Sequence, residues 1–538
     1  MSKNESEGEW ADDRRSFASR TPVNENPDKV EYRRGFVTRH QVTGWRFVMR
    51  RIASGIALHD TRMLVEPLRS QSRAVLMGVL LLVTGLLGCF VFSLIRPNGQ
   101  VGNNVVLADR STAALYVRVG DQLHPVLNLT SARLIAGQPV NPTTVKSAEL
   151  DKFPRGNLVG IPGAPERMVQ STSRDADWTV CDGVTGQPGR GARSTGVTVI
   201  AGPLHSDGAR ASMVSSKQVI LVDAAASGGE GTWLLWEGKR SRIDLADRAV
   251  TNALGLGTDV PAPRPIASGL FNAIPESPPL AAPPIPNAGN PAGFAVPAPI
   301  GAVVVSYAVD RAGADNFYAV LPDGLQPISP VLAAILRNTN SYGLQQPPRL
   351  AADEIAKLPV SRLLDTSRYP AQPVTLVDAA GNPVTCASWS KPNGAATSSL
   401  TLLSGSALPV AEGVRPVELV GGGAKVALTP GTGYFTQTVG GGAAAPATGS
   451  LFWVSDTGVR YGIDNESDRS RGQSGSNGQG KAVEALGLTS PPLAIPWSIL
   501  SLFAAGPTLS RTDALLAHDG LPPDSRPGRP VSAEGEPR

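Results

Sequence analysis

The sequence predicts an α+β protein in which one membrane-spanning helix near the N-terminus precedes a long, duplicated ectodomain. Two observations support this fold class: a single unbroken apolar run, and a self-match of the remaining chain at an offset of about 202 to 205 residues. The 538-residue chain also has 58 Gly and 47 Pro, which favours several small modules joined by irregular segments.

The apolar run covers residues 74–95, has no charge inside and is bordered by Arg73 and Arg96. It is long enough to cross the hydrocarbon layer as a helix. A secretory signal peptide would have a shorter apolar region close to the N-terminus, whereas about seventy residues precede this run. We therefore expect a single span that is kept in the mature protein.

The charges beside the span predict its orientation. Residues 32–73 contain nine Lys or Arg against two acids, Asp60 and Glu66, while Arg96 and Arg110 are the first basic residues beyond it. The flank of a membrane span that is richer in Lys and Arg usually lies in the cytoplasm. The N-terminus should be cytoplasmic and everything after the span external. The overall charge of +4 is nearly neutral for this length, and no nucleic-acid partner is expected.

The cysteines fit an external ectodomain. Cys89 lies in the span, which leaves Cys181 and Cys386 as the two cysteines outside the membrane. A disulfide persists in such a compartment, so we predict a bond between them. Two separate buried thiols are the alternative. The repeat favours the bond, because the two cysteines hold equivalent places in it.

The repeat has two parts. Residues 115–126 (LYVRVGDQLHPV) align with residues 317–328 (FYAVLPDGLQPI), and Pro154 aligns with Pro359. Farther on, at an offset near 220, Trp233 aligns with Trp453 and Arg240 with Arg460. Each half alternates short β-rich runs with brief helices, which indicates small α/β modules.

These features divide the chain into seven segments. The two halves are joined by a proline-rich stretch that is expected to be an extended connector, and both ends are expected to be disordered. The predicted segments are a disordered cytoplasmic tail (1–31), a basic amphipathic segment (32–73), the span (74–95), a first half (96–273), the connector (274–300), a second half (301–517) and a disordered tail (518–538).

The basic segment before the span predicts an amphipathic helix. Five apolar residues recur at spacings of three and four and form one seam, with Arg46, Arg50 and Arg51 away from it. Three interpretations remain open: the seam docks on a partner helix, the helix lies on the anionic inner leaflet, or the segment is a solvated linker helix. The seam residues are Val42, Trp45, Met49, Ile52 and Ile56.

Three motifs carry a resemblance to a known family. TRHQVTGWRF at 38–47, LHPVLNLTSARL at 123–134 and GIPGAP at 160–165 resemble the EccB family, membrane components of mycobacterial type VII (ESX) secretion systems. The resemblance runs from about residue 30 to about residue 515. It departs at Glu66, where the family has Asp before Pro-Leu.

The resemblance implies a structural subunit of an inner-membrane secretion complex with a periplasmic ectodomain. That ectodomain would be an elongated set of repeat modules around a central β-rich domain with quasi-twofold symmetry. The implied partners are EccC, EccD, EccE, the mycosin protease and a second copy of the chain. The implied cargo is of the WXG and PE/PPE kinds, in the subtype linked to iron and zinc acquisition.

Family members are also labelled ATPases, and one segment can be compared with a phosphate-binding loop. Gly475, Gly480 and Lys481 have the required spacing, but Ala482 stands where the Mg²⁺-binding hydroxyl belongs. No cofactor, metal site or catalytic residue is therefore expected, because the five His also lack metal-site spacing. ATP hydrolysis and peptidoglycan binding by the repeated ectodomain units remain alternatives.

Overall fold

The computed structural model describes residues 38–59, 67–95, 99–187, 190–225, 230–307, 315–420, 424–446, 448–464 and 481–520. The chain divides at residue 97 into two compact units. The first contains helices α1 (Arg39–Leu58) and α2 (Pro67–Ile95). The second is built from four small modules and one central sheet. The predicted tail at 1–31 lies outside the described residues.

Module 1 is an antiparallel hairpin followed by a helix. Its helix begins because the Asn128 side chain accepts a hydrogen bond from the Ser131 amide (2.9 Å), which caps the N-terminus. Its strands are ordered β3-β2-β1-β4. The elements are β1 (Val106–Asp109), β2 (Leu115–Val119), β3 (Gln122–Pro125), α3 (Leu129–Ala136), β4 (Thr143–Val145), α4 (Ser147–Leu150) and β5 (Leu158–Val159).

Module 2 follows the first long hairpin of the central sheet. That hairpin is formed by β6 (Ala176–Gln187) and β7 (Arg190–Ala201), and β8 (Ser212–Met213) comes after it. In module 2, Asp247 caps the helix by accepting from the Ala249 amide (2.9 Å). The module contains β9 (Gln218–Asp223), β10 (Thr232–Trp236), β11 (Lys239–Ile243), α5 (Arg248–Leu254), β12 (Arg264–Pro265), α6 (Ser268–Ala273) and β13 (Glu276–Leu280).

Strand β13 corrects the prediction of a connector without elements at 274–300. It pairs in parallel with β11 at the edge of the module 2 sheet. Pro278 and Pro279 are tolerated there because a proline, which has no amide hydrogen, can occupy an edge strand. Leu280 and Ile300 are buried, so this stretch packs on the modules rather than spanning freely between them.

Module 3 repeats the hairpin-and-helix pattern of module 1. Ser329 caps its helix and a proline occupies the first turn. The elements are β14 (Val303–Tyr307), β15 (Asp315–Leu321), β16 (Gly324–Ile328), α7 (Pro330–Thr339), α8 (Ala352–Ala356) and a 3₁₀ turn (Thr366–Arg368). A further five strands follow: β17 (Thr375–Leu376), β18 (Val384–Lys391), β19 (Ser399–Gly405), β20 (Val417–Glu418) and β21 (Lys425–Ala427).

Module 4 is the last module along the described chain. It includes residues from the segment predicted to be a disordered tail, 518–538. His518 belongs to a strand, and its Nε2 donates to the Gly160 carbonyl (2.8 Å), so the predicted disorder does not begin at 518. Residues 521–538 lie outside the described part. The elements are β22 (Tyr434–Val439), β23 (Leu451–Val454), β24 (Val459–Ile463), α9 (Lys481–Leu486), β25 (Leu493–Pro496), α10 (Trp497–Leu500), β26 (Ala504–Ala505), α11 (Arg511–Ala514) and β27 (Ala517–His518).

The central sheet has seven strands in the order β20-β21-β7-β6-β18-β19-β8. It joins the two halves because β6 and β18 come from different halves and pair antiparallel at its centre. The main core lies against this sheet and contains Trp178, Trp389 and Leu500. Two further cores lie between modules. One joins modules 1 and 4, where α3 packs on α9, and the other joins modules 2 and 3, where α5 packs on α7.

The structure corrects one pair of the sequence alignment. Trp233 packs in the central core, whereas Trp453 packs in the core between modules 1 and 4, so the two lie on different faces of their hairpins. The cause is turn length. Trp236 pairs with Lys239 across a two-residue turn, while Val454 pairs with Arg460 across a longer one. A one-residue change in strand register moves every side chain of that strand to the opposite face of the sheet.

Candidate membrane anchor and assembly sites

Helix α2 contains the one stretch among the described residues that is long and apolar enough to cross a membrane. This stretch covers Ser72–Phe92 with a mean hydropathy of 2.6, and none of it is buried within the protein. An apolar helix without protein contacts is stable in lipid, because every backbone group is satisfied within the helix. The free Cys89 lies on it.

Helix α1 presents all five predicted seam residues to solvent. It begins after Thr38, whose amide donates to the Gln41 side chain (3.0 Å), and no residue of the helix is buried. At about 100° per residue the five side chains fall within one narrow sector of the helix. Trp45 is 64% exposed and Ile56 is 73% exposed. The structure thus provides an uncovered apolar stripe and does not bring it against any other described element.

The disulfide lies at the centre of the central sheet. Cys181 and Cys386 are directly opposite each other in the pairing of β6 with β18, and both are fully buried. The sheet brings together two residues that are 205 positions apart in sequence. The predicted pair is therefore joined in the structure, and it links the first half to the second at their shared strand pair.

Two buried ionisable residues next to the disulfide, Asp182 and Arg264, were missed by sequence reasoning. Asp182 is 3% exposed and accepts hydrogen bonds from Ser194 Oγ and the Ala267 amide, both at 2.7 Å. Burial raises the pKa of Asp182 to about 6, although these hydrogen bonds and the Arg264 guanidinium oppose the shift. No spacing pattern marks this aspartate, because its partners come from two other segments, at residue 194 and at residues 264–267.

Arg264 is the second of these buried residues. It is also 3% exposed, and its Nη1 donates to the Asn382 carbonyl and to Thr385 Oγ1, each at 2.9 Å. Burial lowers the pKa of Arg264 to about 10, against attraction from Asp378 and Asp182. The guanidinium therefore ties the segment before α6 to the strand that carries Cys386. These contacts fasten module 2 to the central sheet.

The candidate phosphate-binding loop is only partly described. Gly475 and Gly480 lie outside the described residues, while Lys481 is the first residue of α9. Ala482 is 3% exposed and packs in the core between modules 1 and 4. The position that should hold a metal-binding hydroxyl is therefore an apolar core position. Among the described residues there is also no cluster of three or more metal-ligating side chains.

Similarity to known proteins identifies the family. The family model for the type VII secretion system ESX-1 transport TM domain B matches residues 34–523. The chain belongs to the EccB family. Among curated relatives, this EccB chain is 73% identical to the ESX-3 secretion system ATPase EccB3 of Mycobacterium tuberculosis (strain CDC 1551 / Oshkosh), over 99% of both chains. It is 66% identical to the protein of that name in Mycolicibacterium smegmatis, over 95% of this chain and 96% of the relative.

Solved structures of EccB proteins have the same fold. The EccB3 dimer from the ESX-3 core complex matches with a TM-score of 0.67 and 59% identity, covering 77% of this chain and 100% of that one. A chain of an intact ESX-5 inner membrane complex matches with a TM-score of 0.68 and 38% identity, covering 93% of this chain and 99% of that one. The family resemblance of the sequence motifs is confirmed.

Proposed function

We propose that this EccB chain is a structural core subunit of a type VII inner-membrane secretion complex. The observation that carries the proposal is the match to an EccB chain within an intact ESX-5 inner membrane complex, at 38% identity over 93% of this chain. The 73% identity to an ESX-3 relative favours the subtype linked to iron and zinc acquisition. Its role is to anchor the complex and to build its periplasmic part for export of WXG and PE/PPE proteins.

The proposed topology places α1 in the cytoplasm and the second unit in the periplasm. The excess of Lys and Arg before the span supports this orientation. The disulfide between Cys181 and Cys386 also supports it, because such bonds persist outside the cytoplasm. The exposed seam of α1 is then available to a helix of a neighbouring membrane subunit. EccC, EccD, EccE and the mycosin protease are the proposed partners, together with a second copy of this chain.

We further propose that the second unit arose by duplication and has quasi-twofold symmetry. Modules 1 and 3 share one backbone arrangement in which a leucine bonds to the carbonyl of a proline. The Leu123 amide donates to Pro154 (2.9 Å), and the Leu325 amide donates to Pro359 (2.8 Å). In both modules a tyrosine also pairs with a proline across the hairpin, at Tyr116 and at Tyr318.

Modules 2 and 4 share a half-buried arginine contact. Arg240 and Arg460 each donate from the guanidinium to the carbonyl of a phenylalanine, Phe271 in one module and Phe503 in the other. Both guanidinium groups also lie over an aromatic ring. The helix ends match as well, with the Gly255 and Gly487 backbones at φ of 82° and 75°. These equivalences support two copies of one ancestral pair of modules.

Gentle solubilisation of membranes tests the proposed role. Full-length, tagged chain is expressed in a mycobacterial host, extracted in a mild detergent and separated by native electrophoresis. We expect a high-mass species that contains the other membrane subunits of the same secretion system. Recovery of the chain as a free monomer, under conditions that keep an unrelated membrane complex intact, would reject the proposal.

A further inference from the structure

A cleft of about 630 Å³ lies where modules 2 and 4 meet the central sheet. Its walls include Val197 of β7, Ser268 of α6, Arg460 of β24 and Ala505 of β26. Ser268 and Ala505 are exposed, so the cleft is open to solvent. Its volume is within the range of sites that bind a group from another molecule.

The guanidinium of Arg460 faces this cleft. The main chain of Arg460 is paired on both sides, with Val454 of β23 and with Ala505 of β26, so the side chain is the part that reaches the cleft. Its Nε donates to the Phe503 carbonyl (3.2 Å). The two terminal amino groups have no hydrogen-bond or ion-pair partner within the described ranges of the chain, and both stay accessible to solvent.

Arg240, the equivalent arginine of module 2, makes the same contact and also has a counter-ion. Its Nη1 donates to the Phe271 carbonyl, and its Nη2 pairs with Glu276 Oε2 at 3.3 Å. Glu276 is directly opposite Arg240 in the pairing of β11 with β13. Residues that are directly opposite point to the same face of a sheet, which is why this carboxylate lies beside the guanidinium.

Ala505 stands in module 4 where module 2 has Glu276. It is directly opposite Arg460 in the pairing of β24 with β26, and its methyl group cannot pair with a charge. The described residues that line the cleft include no Asp or Glu. A half-buried guanidinium is attracted to an anion more strongly than one in bulk water, because the surrounding protein has a lower dielectric constant. The two arginines therefore differ by one carboxylate.

We propose that the Arg460 cleft binds a carboxylate of a partner polypeptide, the side chain of an Asp or Glu residue. The carboxylate takes the place that Glu276 has in module 2 and accepts hydrogen bonds from the terminal amino groups of Arg460. A phosphate dianion fits less well, because Arg460 is the one cationic side chain among the described residues of the wall. The inference rests on the comparison of the two arginines and not on the proposed secretion role.

Zero-length cross-linking in membranes from a mycobacterial host tests the site. The full-length chain carries Arg460→Lys, which keeps the positive charge and provides an amine that a carbodiimide joins to a carboxylate in contact with it. Mass spectrometry of the peptide that contains residue 460 should find it linked to an Asp or Glu of another polypeptide chain. Arg240→Lys is the matched control and should link to Glu276 within the chain.

Three results would overturn the proposal. They are no link at residue 460 while the Arg240→Lys control links, a link only to a carboxylate of the same chain, and addition of only a small acid. Native electrophoresis of the same membranes shows whether the secretion complex has assembled, so this proposal and the proposed function fail separately.

Ala505→Glu supplies the missing carboxylate within the chain. Ala505 is exposed, so the longer side chain should not disturb folding. Added to Arg460→Lys, it should lower the yield of the inter-chain link by about tenfold or more and produce a link within the chain instead. Ala505→Gln has the same size without the charge and should keep the inter-chain link. An inter-chain link that is unchanged by Ala505→Glu would contradict the assignment.

Indole NMR on the full-length chain in detergent tests the site with Arg460 unaltered. The Trp497 ring lies under the Arg460 guanidinium, whose central carbon is 5.0 Å from the ring centroid, so its ¹⁵N-labelled indole reports on the cleft. We expect a concentration-dependent shift with N-acetyl-glutamate methylamide and none with the neutral control, N-acetyl-glutamine methylamide. Ala505→Glu should abolish the shift. Equal shifts with both probes, or no shift with either, would also overturn the proposal.

Discussion

Cys181 lies directly opposite Cys386 at the centre of the seven-stranded sheet, with their Cα atoms 4.0 Å apart. The bond closes a loop of 205 residues and joins strands from the two halves. Replacing Cys386 with Ser leaves one buried thiol and frees this loop in the unfolded chain. We expect the free energy of unfolding to fall by about 2 to 5 kcal/mol, measured by denaturant titration.

The matched control for the disulfide is Cys89→Ser, because Cys89 is exposed on the apolar helix and carries no bond. It should leave unfolding of the second unit unchanged. Peptide mapping under non-reducing conditions should recover Cys181 linked to Cys386. Free thiols at both positions in protein taken from the native compartment would contradict the bond.

Asp182 predicts an unusual pH dependence of stability. Its pKa of about 6 in the folded chain exceeds the value of about 4 expected when unfolded, so the folded state binds the proton more tightly. Its contribution to the unfolding free energy should therefore rise as pH falls from 7 toward 4, by up to about 3 kcal/mol. Asp182→Asn should remove this rise, which thermal melts between pH 5 and 7 would detect.

Asp109 is the matched control for this pH effect. Hydrogen bonds from the Ser111 amide and hydroxyl and from the Ser147 hydroxyl lower the pKa of Asp109. Its titration therefore lies below the pH 5 to 7 window, and Asp109→Asn should leave the pH slope in that window unchanged. A slope that persists in Asp182→Asn would show that another group is responsible.

The equivalent arginines Arg240 and Arg460 predict matched losses of stability. Arg240→Met and Arg460→Met each remove a guanidinium that bonds to a backbone carbonyl and lies over a ring. Each should lower the free energy of unfolding by about 2 kcal/mol. Arg368→Met, which removes a half-exposed ion pair with Asp365, should leave the free energy of unfolding nearly unchanged, because solvent screens the pair. Strongly unequal losses at the two arginines would argue against the duplication.

A charge placed in the seam of α1 should weaken docking to partner subunits without affecting folding. Ile52→Asp places a charge on the exposed stripe, and burying it against a partner helix should reduce recovery of the other membrane subunits by about tenfold or more. Ser54→Asp adds the same charge on the opposite face and should co-purify normally. If both variants lose binding to anionic vesicles while keeping their partners, the helix lies on the membrane instead.

Lys481 tests the ATPase alternative suggested by the names of the relatives. Ala482 is a core residue, so we expect this segment to make no contribution to ATP turnover. The Lys481→Ala variant and the exposed-lysine control Lys357→Ala should match the unaltered chain in a phosphate-release assay. Loss of ATP turnover in Lys481→Ala alone, with an unchanged free energy of unfolding, would support a nucleotide-binding site at this segment.

The sequence by itself determined the apolar span, the amphipathic seam and the family, because each depends on local pattern. Residues 74–95 need only their own apolar character, and Val42 to Ile56 need only helical spacing. The sequence match of Leu123 with Leu325 also agrees with the register of the two hairpins, since their turns are equal in length.

Only the tertiary structure decided which residues meet. Asp182 meets the segment at 264–267 only in the folded chain, where the Ala267 amide donates to its carboxylate, and the strand Glu276–Leu280 forms because an edge accepts prolines. Trp233 and Trp453 match in sequence, yet one extra turn residue sends them to different cores. The face of the sheet to which a side chain points depends on strand register. The register is set by pairing with the rest of the sheet rather than by composition.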